Sequence, residues 1–154
     1  QRDLMARVQA SSTMPVVMPP VEIDGEVAVD GALGATGGIA IDAAREAGFS
    51  KFLVVLTQER GYAKGPMSNP WFYRRHFRRY PSVADALLTR WSRYNATRDE
   101  LFQLERQGDA YLFAPNAMTV SNGARNVAKL EAAHAQGLAQ MAREMPALRE
   151  FLQA

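Results

Sequence analysis

The stretch KFLVVLT at residues 51–57 does most to limit the fold. It is an almost unbroken apolar run of strand length, as expected of a strand buried in a parallel sheet. Parallel strands need a long crossover between them, usually a helix. Upstream, IAIDAAREAG at 39–48 has a helical period. The expected class is therefore α/β: a mostly parallel sheet with flanking helices and a helical C-terminal half.

The second half supplies the helices. PWFYRRHFRRY and PSVADALLTRWSRYNATRDELFQLERQG carry Trp71, Phe72, Val83, Leu87, Leu88, Trp91, Tyr94, Leu101, Phe102 and Leu104 at roughly helical spacing. Gly108 is a natural stop. AYLFAP reads as a second strand of the same sheet, and NVAKLEAAHAQGLAQMAREM as a final amphipathic helix that Ser121 or Asn122 would cap.

The first half is more broken. Residues 3–10 suggest a short helix with Leu4, Met5 and Val8 on one face. Pro15, Pro19 and Pro20 then forbid helix, and SSTMPVVMPP is expected to be extended along a cleft. VEI and EVAV flank Asp24-Gly25, a dipeptide suited to a two-residue hairpin because both central positions need positive φ. A second Asp-Gly, at 30–31, ends the EVAV strand and opens the glycine-rich GALGATGG. Strand, glycine-rich loop, helix and KFLVVLT in succession suggest a crossover unit.

Bulk properties exclude several classes. The 154 residues suit one domain, 1–154, with a real core. A net charge of +2 implies no general affinity for nucleic acid or membranes. With no cysteine there is no disulfide, thiolate metal site or cysteine nucleophile. No apolar run approaches the roughly 20 residues of a membrane-spanning helix. The opening QRDLMARVQ is already amphipathic, so we expect further chain before Gln1.

Asp24 is explained fully by its hairpin. Asp30 stands at the C-terminal end of a strand, where open α/β sheets place reactive groups, and Gly31 beside it lets another backbone or a substrate approach. A turn remains the simplest account of any one Asp-Gly pair.

The wider wording adds to this. ASSTMP at 10–15 and PPVEIDGEVAVDGA at 19–32 resemble the patatin-like phospholipase family. That family carries an Ala-Ser-Ser-Ala-x-Pro stretch, a Pro-Pro and a short hairpin. These end in an Asp-Gly-Gly or Asp-Gly-Ala whose aspartate is half of a Ser-Asp dyad. FLVVLTQERGYAKGP, RRYPSVADALLTRWSRYN and AYLFAP with KLEAAHAQG are similar to a bacterial branch of it. The resemblance implies a partial patatin-like fold with Asp30 as catalytic aspartate and Gly31 and Ala32 completing its motif. It implies a lipid ester as substrate; no cofactor, metal or nucleic acid is expected. It also implies a bacterial source and a cytoplasmic or peripheral-membrane location.

The carboxylate of such a dyad takes the serine proton without a histidine. That suits His76, within RRHFRR, and His134, on a late helix, neither of which is placed for acid–base work. A Gly-x-Ser-x-Gly elbow and a glycine-rich oxyanion loop are both missing. GFSKF at 48–52 lacks the second glycine, so Ser50 belongs to a turn; Ser11 and Ser12 match the Ala-Ser-Ser stretch. Where many relatives have Asn-Pro, this chain has Thr36-Gly37-Gly38. The expectation is the C-terminal half of a hydrolase, inactive by itself, whose open KFLVVLT edge leads to self-association, a retained partner fragment or disorder near residues 1–38.

Other signals are weaker. GALGATGG fits no phosphate-binding pattern, and a turn into the helix accounts for it. RRHFRR at 74–79 beside Trp71, Phe72 and Tyr73 suits anionic lipid headgroups or RNA; the plainer reading is a solvated helix face with its aromatics turned inward. Asp99, Glu100 and Glu105 are spread along one helix without a histidine, so no metal site is expected. Met14 and Met18 suit either an acyl channel or core packing. The alternative to a hydrolase is a non-catalytic α/β module binding an anionic ligand or membrane surface through 31–38 and 74–79.

Overall fold

The computed structural model describes residues 2–121 and 123–153. They form a mixed α/β chain, in order α1 (Arg2–Ser11), β1 (Val21–Ile23), β2 (Glu26–Ala28), a 3-10 turn (Gly31–Leu33), α2 (Ile41–Glu46), β3 (Phe52–Val55), α3 (Pro70–His76), α4 (Pro81–Gln107), β4 (Ala110–Phe113) and α5 (Val127–Gln153). The chain divides into two compact units, residues 1–47 with 64–98, and 48–63 with 99–154.

In the first unit the hairpin forms as its turn dictates. Val21 pairs with Ala28, Glu22 with Val27 and Ile23 with Glu26, antiparallel. Asp24 and Gly25 both take positive φ, 54° and 81°, the left-handed pair that lets a two-residue turn follow the strand twist. The hairpin packs against α1. The apolar side of α1 does not do what its spacing suggests, because Leu4, Met5 and Val8 are all exposed. Its burial is through Ala10, and Thr13 beyond it is buried with its hydroxyl donating to the Gln9 carbonyl. The segment 12–18 is also turned, not extended: the amides of Val17 and Met18 both donate to the Met14 carbonyl, and Val16 sits at φ 78°. Met14 and Met18 face outward.

The core of this unit gathers Leu33, Phe77, Val83, Ala84 and Leu87, with Val29, Met67, Tyr73 and Ala86 partly buried against them. The short α3 starts with Pro70 in its first turn and Asn69 accepting from the Phe72 amide. Tyr73 and Phe77, four residues apart, share the face that enters the core. Trp71 and Phe72 therefore point away, a correction to the inward-facing aromatics expected from the sequence.

In the second unit β3 and β4 run parallel, Phe52 beside Ala110 and Val55 beside Phe113. The long α4 ends at Gly108, φ 83°, whose amide returns to the Glu105 carbonyl while that of Asp109 returns to Leu104. The parallel partner of KFLVVLT thus lies after α4 in the chain. The expected crossover from EVAV to KFLVVLT does not occur, because three-residue β2 is paired antiparallel with β1. The expected mostly parallel sheet is two separate two-stranded sheets. Nor is β3 buried on both faces: Phe52 and Leu56 are buried, but Leu53 and Val55 are 47% and 62% exposed. Helix α5 covers the neighbouring strand instead, through Tyr111, whose ring lies 5.9 Å from that of Phe151 and whose hydroxyl donates to Glu144.

Helix α5 starts where its pattern does but ends later and is capped by a different residue. Asn126 is its cap, accepting from the Lys129 amide at 3.0 Å, so Ser121 is not; the Asn122 expectation lies outside the described residues. The helix continues through Pro146 to Gln153, with Leu148 buried beyond the proline. Among the described residues no helix is long and apolar enough to cross a membrane.

Candidate functional site

Asp30 leaves the hairpin two residues after β2 and caps the 3-10 turn. Its backbone is extended, φ −46° and ψ 130°, and its Oδ1 accepts from the Ala32 amide at 2.7 Å. The carboxylate is half-buried. On either side Val29 and Leu33 enter the core cluster, so the acid is carried between two packed side chains. Among the described residues Oδ2 accepts no hydrogen bond and no cation pairs with it. A side chain at Gly31 would meet nothing within 4 Å, so the space beside the acid is open. The geometry offers a fixed carboxylate with one engaged and one available oxygen.

The glycines that follow have a different task. Gly37, φ 68°, is buried, and a Cβ there would stand 2.5 Å from the backbone nitrogen of Tyr94. Arg90 Nε donates to the Gly37 carbonyl at 3.2 Å, and a Cβ on Gly38 would meet Ala32 at 3.2 Å. The glycine-rich segment is thus pressed onto α4, and closeness of approach accounts for its composition.

A loop further on is held to the same helix. Asn95 brackets Lys64, accepting from its amide at 2.9 Å and donating to its carbonyl at 3.0 Å. The Lys64 ammonium lies 5.2 Å from the centre of the Tyr94 ring. Burial, with Arg90 nearby, holds its pKa below the ordinary lysine value. Arg90, Tyr94, Asn95 and Lys64 are the residues that sequence reasoning missed as organisers of this region. The only available signal was the wording GYAKGP and R...YN, which shows identity without saying what each side chain grips.

The other candidates are not brought to Asp30. The hydroxyls of Ser11 and Ser12 both donate to the Val8 carbonyl, closing the end of α1. Ser50 is exposed in the turn before β3. His76 is exposed, stacked on Phe72 and edge-on to Phe77; His134 is exposed on α5. Glu105 is engaged by Arg60 in a two-pronged pair at 2.6 and 2.7 Å, which raises the arginine pKa. Three surface depressions lie elsewhere, one at Trp71, Phe72, Arg75, His76 and Arg78, the others around Met118–Val120, and none is lined by Asp30. Among the described residues no three acidic or histidine side chains gather as metal ligands would.

Residues 80–153 match a family model described as a domain of unknown function, DUF6363. The match takes in α4, β4 and α5 and stops short of Asp30. No curated protein matches the chain, and no solved structure matches it.

Proposed function

We propose that this chain supplies the carboxylate of a Ser-Asp dyad in a patatin-type lipid acyl hydrolase. The observation that carries the proposal is the state of Asp30: fixed between two core side chains, with one oxygen taken by the Ala32 amide and the other free to accept a proton. The wording ASSTMP and PPVEIDGEVAVDGA around it supports the same reading.

In this reading the nucleophile comes from chain outside the 154 residues. Its hydroxyl oxygen attacks the ester carbonyl carbon while Asp30 takes the hydroxyl proton. Collapse of the tetrahedral intermediate breaks the ester C–O bond, and Asp30 returns the proton to the leaving alcohol. Water then repeats the sequence on the acyl-enzyme, releasing the fatty acid. Gly31 leaves room for the hydroxyl to reach the acid.

The test uses the protein encoded together with the region upstream of Gln1. Asp30→Asn keeps an oxygen that can accept from Ala32, so the fold is expected to survive. Turnover of a short-chain ester is expected to fall by roughly 10³-fold, as loss of a general base does. Full turnover by Asp30→Asn, or normal ester hydrolysis by the 154-residue chain alone, overturns the proposal.

A further inference from the structure

Helix α3 presents to solvent a combination that the proposed chemistry does not use. Trp71 is 69% exposed and Phe72 42%, the first next to Arg75, whose guanidinium lies 5.9 Å from the centre of its ring. Phe72 stacks on His76 at 5.7 Å. These side chains, with Arg78, surround a depression of about 480 Å³.

The charge is one-sided. From Lys64 to Ala84 the sequence holds Lys64, Arg74, Arg75, Arg78 and Arg79 and no carboxylate, although the whole chain has a net charge of only +2. Asp85, the first carboxylate after this stretch in the sequence, is engaged by Arg74 at 2.9 Å. Arg75, Arg78 and Arg79 are exposed, with no carboxylate partner among the described residues.

The structure assigns this face of α3 to docking on an anionic bilayer. The Trp71 indole suits the headgroup level, where an apolar ring leaves water while its N–H stays wet, and the wholly apolar Phe72 ring adds buried area beside it. Arginines there meet lipid phosphates and the negative surface potential. Neither contribution suffices alone, and stable peripheral binding takes a modest apolar anchor together with a basic cluster. Both occur here within nine residues, Trp71 to Arg79. Tyr73 and Phe77 hold the helix to the core, so its outer side chains can change without loss of the fold.

The inference stands apart from the dyad: Asp30→Asn is expected to bind vesicles as well as the parent chain does. The test is sedimentation of the full chain with vesicles of phosphatidylcholine alone or containing roughly a third phosphatidylserine. Binding is expected only to the anionic vesicles, weakening as salt rises. Replacing Arg75, Arg78 and Arg79 together by Gln should lower partitioning about 100-fold, and replacing them by Lys should retain it. In a Trp91→Phe background, Trp71 is the sole tryptophan and its emission should move to the blue on binding. Circular dichroism of each variant checks that it folds. Equal binding to both vesicle types, indifference to the Gln substitutions, or unmoved Trp71 emission overturns the inference. So does displacement by inorganic phosphate at matched ionic strength, or tighter binding to a single-stranded RNA oligomer than to vesicles.

Discussion

The two Asp-Gly dipeptides, at 24–25 and 30–31, have identical letters and unlike surroundings. At the first, both residues are left-handed and the Asp24 carboxylate stands in solvent, meeting exposed Arg7 at 3.3 Å. Such a pair contributes little to stability. At the second, the aspartate is extended, half-buried and bonded to a backbone amide, and the glycine needs no left-handed φ. The first copy is there for its backbone and the second for its side chain. The dipeptide alone says nothing about which. Neighbours decide it: residues with strand propensity on both sides close a hairpin, whereas Val29 and Leu33 tether the second copy to a core.

The sharpest way to break this contrast is to exchange each carboxylate for its amide in the hydrolase proposed above. Asp30→Asn should cost roughly 10³-fold in ester turnover, and Asp24→Asn should leave it within about twofold. Equal effects would mean the two sites are not distinct. A second comparison concerns the glycines. Gly37→Ala places a methyl group against the Tyr94 backbone at a left-handed φ, so chemical denaturation should show a loss of about 3 kcal/mol. Gly25→Ala suffers only the left-handed penalty, since open space surrounds it, and about 1 kcal/mol is expected. Gly31→Ala has neither problem and should stay within about 0.5 kcal/mol.

The smallest effect is a pH dependence on the Asp30 side of the comparison. The Lys64 pKa is lowered by burial and by Arg90. Between that folded value and the ordinary 10.5, the unfolded chain binds more protons, so stability rises with pH across this window. Lys64→Met should flatten the rise in urea midpoint. The measurement belongs in a Tyr111→Phe background, because burial and Glu144 raise the Tyr111 pKa. Its contribution is full below the ordinary 10.0 and is lost as pH climbs through the folded value.

Elements governed by local chemistry were legible in the residues. The hairpin turn, the stop at Gly108 and the existence of strands at KFLVVLT and AYLF follow from backbone preference and apolar runs. What depends on distant contacts was not. Leu53 and Val55 share a face with Tyr111, but α5 lies over the strand of Tyr111, and an apolar run cannot state which strand a helix will cover. The choice of Asn126 as the α5 cap turns on its side chain reaching the Lys129 amide, when Ser121 and Asn122 stand a few residues before it. Asp30 was legible as a candidate through motif wording; its support was not, since Leu33, Arg90 and Tyr94 come together only through packing.

Pro146 gives α5 a property unlike that of α4. Lacking an amide hydrogen, it leaves the Ala142 carbonyl without its donor along the helix, a break that costs roughly 3 kcal/mol when nothing offsets it. What lies beyond is fastened by buried Leu148 and by Phe151 against Tyr111. The end of the helix is therefore a latch, gripping by side chains across a weak step in its own ladder. Pulled from its C-terminal end, it would peel back to the proline and bare Tyr111 while the earlier turns stayed wound.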